Sequence, residues 1–464
     1  MLPLDPNPDD MRSTGRAALE YLIAFIHGLD DAPADATEGA LELARELRAA
    51  PPEIGGSFDE LFDEAQRAIA HTFEYAGPGY LAYIPGGGLF TAALAEFIAQ
   101  GVNRYAGLWQ PSPAVVQIEE NVARWLCDVF RYPAASQGLL LSGGSMANLS
   151  AMVTARHAKL GEDFLDGVYY VSEQAHASVT KAATIAGFSR RNLHVVPTDA
   201  ELRMAPDALR AAVRDDRARG LRPFLVAPSA GTTNTGAIDP LEAIADVAAD
   251  EDLWMHVDAA YGGFFQLTDR GQRWFRGIER SDSVTLDPHK GLFLPYGTGG
   301  LVVRDGQALR DAHYEGAAYL QDLPPTGELP NYSEHSVELS RDWRGLRVWF
   351  PLRLHGVASF REALDEKLDL AQVVAEAFEA DPNVEVCWRP QLSTVAFRLA
   401  GDADDERQAE FLRRINASKR VFLSSTRIDR RYVLRICIVS HRTHRDRIDE
   451  CIEIVSKAAA ELAA

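Results

Sequence analysis

With 464 residues, 47% hydrophobic and 25% charged, the chain has the size and balance of two or three soluble globular domains. A formal net charge of −20 argues against a general nucleic-acid or anionic-membrane binder. Its four cysteines, Cys127, Cys387, Cys437 and Cys451, are scattered without Cys-x-x-Cys spacing, the usage expected of reduced thiols in a cytoplasmic protein.

The opening decapeptide is acidic and Pro-rich and does not read as a secretory signal. Met11–Leu29 has helical apolar spacing, with Tyr21, Leu22, Phe25 and Ile26 on one side. Pro51-Pro52 breaks the chain, and Ser57–Phe73 is helical again. Two amphipathic helices joined this way cannot bury both faces on each other. They form either an arm that packs on another subunit or domain or an ordinary helical layer. Pro78–Pro85 and Asn103–Pro113 are Gly/Pro-rich loops carrying Tyr80, Tyr83, Tyr105 and Trp109, aromatics that can wall a pocket or pin a loop. Gly86–Val102 comes nearest to a membrane span, but Glu96 and Gln100 interrupt it.

From Gly138 the pattern becomes alternating strand and helix. Gly138–Leu141 is a short apolar strand, Ser142-Gly143-Gly144-Ser145 a tight loop, and Met146–Lys159 a helix. Free N–H groups and the dipole at such a helix start suit a phosphate. The loop is neither Gly-x-Gly-x-x-Gly nor a P-loop, and as a nucleophile elbow it lacks the final glycine. Val168–Val171 is a second strand, and His176 opens the helix that follows. Phe224–Val226 is a third strand, with the polar exit Ala230–Gly236. Leu253–Val257 is strand-like, and Asp258 sits where it ends, as a ligand group or equally as a cap or turn residue. Ser283–Leu286 is another strand, stopped by Pro288, with His289 and Lys290 immediately beyond. Gly300–Val303 is a further strand. Strands alternating with helices imply a mostly parallel sheet covered on both faces. A strand-end lysine paired with a strand-end carboxylate is what pyridoxal 5'-phosphate (PLP) chemistry requires: an amine for a Schiff base and an acid for the pyridine nitrogen.

Beyond Phe350 the chain reads as a smaller α/β unit, with helices at about Phe360–Ala380 and Arg407–Arg420 and strands at Thr394–Leu399 and Tyr432–Val439. His441 and His444 lack a partner at ligand spacing, so no metal site is expected and a surface loop is the reading.

Four blocks, Gln174-Ala175-His176, Gly231-Thr232-Thr233, His256–Tyr261 and Pro288-His289-Lys290, together resemble the PLP-dependent group II amino-acid decarboxylases, the aromatic-L-amino-acid and glutamate decarboxylase family. The resemblance runs from about Met11 to the last helix. It implies an aspartate aminotransferase-like α/β fold of type I: an N-terminal helical arm (1–90), a large PLP-binding domain with a seven-stranded sheet (91–349) and a small C-terminal domain (350–464). It also implies roles. Lys290 forms the internal aldimine, Asp258 pairs with the pyridine nitrogen, and His176 stacks on the ring with Ala260 on the other face. Gly144, Ser145 and His289 hold the phosphate, and Thr233 sits near the ring or the substrate carboxylate. Tyr332, in the polar loop Thr326–Ser336, matches the tyrosine that reaches from the neighbouring subunit of a homodimer to protonate the quinonoid carbon. Family members that oxidise their substrate to an aldehyde tend to lack that tyrosine or the stacking histidine.

Aligned with the animal aromatic decarboxylases that the chain resembles, Asp287 replaces an asparagine beside the phosphate, which requires it to point away or be neutralised. Gly291 replaces a tryptophan, and Gly107 a pocket phenylalanine. Tyr83, Ile84, Pro85 and Trp109 occupy substrate-lining positions and favour an aromatic amino acid. The expected activity is therefore decarboxylation of tryptophan, tyrosine or dihydroxyphenylalanine to the amine and CO2. The alternatives are a glutamate- or aspartate-type decarboxylase or an aminotransferase, with Arg435 clamping a carboxylate. A non-catalytic binding protein is disfavoured by the intact Lys290, Asp258, His176 and Tyr332.

Overall fold

The computed structural model describes residues 4–316 and 329–463. Seven strands, β1 (Gln137–Leu141), β2 (Gly167–Ser172), β3 (Leu193–Val196), β4 (Arg222–Ala227), β5 (Trp254–Asp258), β6 (Ser283–Leu286) and β7 (Gly299–Val303), form one sheet in the order β1-β7-β6-β5-β4-β2-β3. The pairs β2–β3, β2–β4, β4–β5 and β5–β6 are parallel; β7 runs antiparallel between β1 and β6. Every residue of β2, β5, β6 and β7 is buried. This explains why these strands read as near-continuous apolar runs: helices cover both faces, so neither face needs polar side chains. The edge strand β3 is half-exposed and too short to stand out in the sequence.

The connections place the carboxyl ends of the parallel strands on one side. β1 leads through Ser142-Gly143 into the helix Gly144–Leu160, which starts without a side-chain cap. Its first backbone N–H groups are thus left for a ligand. Gly299 on β7 allows this: a Cβ there would stand 2.4 Å from the Gly143 backbone.

A second sheet has the order β10-β11-β9-β8, all antiparallel, from β8 (Val384–Trp388), β9 (Thr394–Leu399), β10 (Ser424–Ile428) and β11 (Arg431–Cys437). Its core joins Phe378, Phe397, Phe411, Ile436 and Ile448. The helix Gly345–Ala380 links the two sheets and runs through position 349/350. It kinks at Gly356, whose φ of 76° interrupts the helical backbone. Tyr261, just after β5, is pinned to the second sheet: its hydroxyl accepts from Ser393 N and Thr394 Oγ1, both at 3.0 Å. Among the described residues no helix is long and apolar enough to cross a membrane.

Candidate active site

A cavity of about 310 Å³ opens where the carboxyl ends of β1, β2, β4, β5 and β6 meet, the position expected for a ligand in an open α/β sheet. Gly144, Ser145, His176, Thr233, Asp258, Ala260, His289 and Lys290 all line it. Each comes from the end of a strand or the first residues after one, so backbone topology alone brings these distant segments together.

Lys290 reaches into the cavity from a single helical turn, Pro288–Gly291, and its Nζ is 2.8 Å from Asp287 Oδ2. Asp287 therefore does not point away. It lines the cavity, only 2% exposed, and is neutralised by the lysine, with His289 Nε2 3.6 Å away. Its other oxygen, Oδ1, is buried and has no hydrogen-bond partner among the described residues. Gly291 is glycine because a Cβ there would lie 2.6 Å from Phe264 Cβ. Gly144 is glycine for a similar reason, as a Cβ would meet Asp287 Oδ2 at 2.9 Å and Ala260 at 3.1 Å.

Asp258, 7% exposed, accepts from Ala260 N at 3.1 Å and from Asn148 Nδ2 at 3.2 Å. It has no ion-pair partner among the described residues, although it is buried beside a cavity. A buried carboxylate without a counter-charge is costly, and a protonated pyridine nitrogen would supply one. With the capless helix start and the strand-end lysine, the residues present fit PLP.

Asn148 is the residue that sequence reasoning missed. Besides Asp258, its Nδ2 donates to Ser178 Oγ at 2.8 Å, and its Oδ1 faces His256 Nε2 at 2.9 Å. Burial lowers the His256 pKa to about 4, so this imidazole is neutral near pH 7 and donates from Nε2 to Asn148. Its Nδ1 then accepts from Ser283 Oγ at 2.8 Å, and Ser283 Oγ accepts from Trp254 Nε1 at 2.8 Å. On the other side, His176 Nδ1 accepts from Ser178 N at 3.2 Å and from Ser178 Oγ at 2.7 Å. His176 is thus the N-cap of the helix Ala177–Ile185, held through Nδ1. One amide orients both Asp258 and His176. The signal in the sequence was an asparagine on the face shared by Gly144, Ala151 and Ala155, an apolar stripe at helical spacing.

The neutral His256 predicts an acid-sensitive fold. The unfolded imidazole takes up its proton near pH 6.5 and the folded one only near 4, so stability is complete above about 6.5 and falls as the pH drops towards 4. The loss is of order 3 kcal/mol for this one group. Thermal melts from pH 7 to 4.5 on the wild type and on His256→Gln, which keeps a neutral donor and acceptor, measure it; the variant should lose less.

Residues 41–400 match the family model described as the pyridoxal-dependent decarboxylase conserved domain. This chain belongs to the pyridoxal-dependent decarboxylase family. It is a PLP-dependent carboxy-lyase. An aromatic-L-amino-acid decarboxylase of Bacillus atrophaeus is 34% identical, covering 98% of this chain and 96% of the other. A phenylacetaldehyde synthase of Arabidopsis thaliana is 27% identical over 98% of this chain and 96% of its own. The crystal structure of Oryza sativa TDC with PLP and tryptamine superposes with a TM-score of 0.93 at 28% identity, covering all of both chains.

Four expected site residues of this decarboxylase do not line its own cavity. Tyr332 is fully buried, donates to Glu120 Oε2 at 2.8 Å and lies under the Arg341 guanidinium, 4.8 Å from the ring centroid. Of the loop Thr326–Ser336, positions 326–328 lie outside the described residues. Tyr83 is 57% exposed, Pro85 is buried and does not line the cavity, and Trp109 packs on the core beside β1 and β2, its backbone N–H donating to Asn331 Oδ1 at 3.2 Å. These segments lie outside the strand ends, so the topology of one chain does not carry them in. Arg435 does not line the cavity either; Ser424 Oγ and three backbone carbonyls engage it. Gly107 leaves room only for Tyr105, whose hydroxyl would stand 2.3 Å from an added Cβ. His444 is the exposed loop residue expected, bonded to Glu366, whereas His441 is half-buried against Phe293.

Proposed function

We propose that this decarboxylase acts on an aromatic L-amino acid (tryptophan, tyrosine or dihydroxyphenylalanine), releases CO2 and the amine, and works as a cytoplasmic homodimer with shared sites. The observation that carries the reading is the convergence of Lys290, Asp258 and His176 on one cavity, in a chain similar over its whole length to an aromatic-L-amino-acid decarboxylase. A second carboxylate on the substrate would need its own cation. Among the described lining residues there is no arginine, and Arg435 is spent on backbone carbonyls. This disfavours a glutamate- or aspartate-type substrate.

When bound, PLP supplies a ring that takes up the electron pair left on Cα as CO2 departs. The rest is done by the chain. Lys290 supplies the amine that holds the cofactor. Asp258, fixed by Asn148 and the Ala260 N–H, keeps a proton on the pyridine nitrogen. Gly144, Ser145 and His289 would hold the phosphate at the helix start. His176 and Ala260 would flank the ring, and Thr233 would stand on the substrate side. Tyr332 of one subunit delivers the proton to Cα in the other, which requires it to leave Glu120. Tyr83, Pro85 and Trp109 then wall the side-chain pocket of the assembled dimer. Exposed apolar surface supports a second copy: the helix Pro8–Gly28 buries no residue, Leu19, Leu22 and Ile23 are exposed on it, and Phe97 on the helix Phe90–Val102 is 72% exposed.

Product analysis tests the reading. Wild type incubated with each aromatic amino acid should give amine and CO2 in equal amounts, without consuming O2. Aldehyde, ammonia and hydrogen peroxide, with O2 consumed, would indicate the activity that the Arabidopsis relative's name suggests. Tyr332→Phe should lower amine formation by roughly 10²- to 10⁴-fold, the contribution typical of a positioned proton donor, and leave cofactor absorbance intact. Unchanged turnover would remove Tyr332 from the mechanism.

A further inference from the structure

Arg435 lies on β11, is 3% exposed and does not line the cavity, yet it ties Thr233, which does line it, to the segments of Tyr83 and Ser424. Nε donates to the Asn234 carbonyl at 2.8 Å, Nη1 to Ser424 Oγ at 3.3 Å, and Nη2 to the carbonyls of Tyr83, at 3.1 Å, and Thr233. Tyr83 has a φ of 53°, the left-handed region that a bulky residue adopts only when held there. Both of its backbone groups are held: its N–H donates to Ser424 Oγ at 3.0 Å and its C=O accepts from Arg435. Asn234 extends the network, as its Nδ2 donates to Gln174 Oε1 at 3.0 Å, two residues before His176, and its Oδ1 accepts from Thr426 at 2.9 Å.

We propose that Arg435 is a positioning residue for substrate binding: from the second sheet it sets Thr233, which lines the cavity, at its working separation from the Tyr83 segment, which the proposed dimer brings to the pocket, and does not touch the substrate. The inference rests on the aromatic decarboxylase reading above. A guanidinium can serve these four acceptors at once because its donors lie in a planar fork; a lysine ammonium keeps the charge but cannot span them. Losing several charge-assisted bonds to carbonyls releases both segments together.

The test compares two ligands that differ only by the carboxylate. For wild type and Arg435→Lys, KM for L-tryptophan and the inhibition constant for tryptamine are measured on PLP-loaded enzyme, alongside cofactor absorbance and melting temperature. Positioning predicts that both constants rise by the same factor, roughly ten- to a hundredfold, with cofactor absorbance retained and kcat changed far less. If the tryptophan constant rises and the tryptamine constant does not, Arg435 binds the carboxylate directly and the proposal is wrong. It is equally wrong if neither changes. Ser424→Ala, a milder cut that frees Tyr83 N–H and one Arg435 bond, should move both constants in the same direction by about threefold and decides the matter if Arg435→Lys does not fold. If the wild type decarboxylates no aromatic amino acid, the reading of function fails separately. The comparison is then made with the amino acid that it does decarboxylate and the matching amine, and the equal-factor criterion still applies.

Discussion

Replacing Lys290 with alanine is expected to abolish cofactor attachment and activity together. Purified wild type should absorb at roughly 400–430 nm, the region of a PLP Schiff base, and Lys290→Ala should show no such band after PLP is added and removed by gel filtration. Amine formation should fall by about 10³-fold or more, since no other amine lines the cavity among the described residues. The same substitution has a structural cost that must be separated from the chemical one. It leaves Asp287 buried with one oxygen already unpartnered and the other deprived of the Lys290 nitrogen. Removing one partner of a buried pair destabilises strongly; because the lysine side chain is 22% exposed, about 1–3 kcal/mol is expected here. The double variant Lys290→Ala with Asp287→Asn removes the stranded charge. It should regain most of the lost melting temperature and still show no band and no turnover. Restored activity in the double variant would mean that Lys290 acts only through its pairing with Asp287.

Asp258→Asn should separate binding from chemistry in the opposite way. The side chain keeps its volume but loses its charge, and its amide turns an N–H group against one of the two donors that now hold it, Ala260 N or Asn148 Nδ2. The pyridine nitrogen then loses the partner that keeps it protonated, so the electron sink is weaker when CO2 leaves. We expect kcat to fall by roughly 10²- to 10⁴-fold, while PLP is retained through Lys290 and the phosphate cradle with an affinity changed about tenfold or less. Asn148→Ala should reproduce part of this loss, since it frees Asp258, Ser178 and His256 at once. A variant at Asp258 with wild-type kcat would exclude it as the partner of the ring nitrogen.

Much of this site was legible in the sequence because its residues are local to strand ends. In an open α/β sheet, the few positions after each strand necessarily face one crevice, so recognising the strands before Ser142, His176, Thr233, Asp258 and Lys290 also located their shared cavity. The glycines were legible for the same reason, although Gly291 owes its identity to Phe264, which only packing could reveal.

What one chain's sequence determined by itself was therefore the class of fold, the cofactor and the strand-end residues that line one cavity. Short-range rules govern these: apolar runs make buried strands, and a helix start attracts an anion. Tertiary structure alone decided how those residues are held. Asn148 and Asp258 are 110 positions apart, and Arg435 and Tyr83 are 352 apart. The burial of Tyr332 on Glu120 and the diversion of Arg435 from substrate to backbone depend on side-chain directions and on which surfaces close together. Hydrogen bonds of that range follow from the packing of sheets and helices as whole bodies, and no local pattern of residues encodes them.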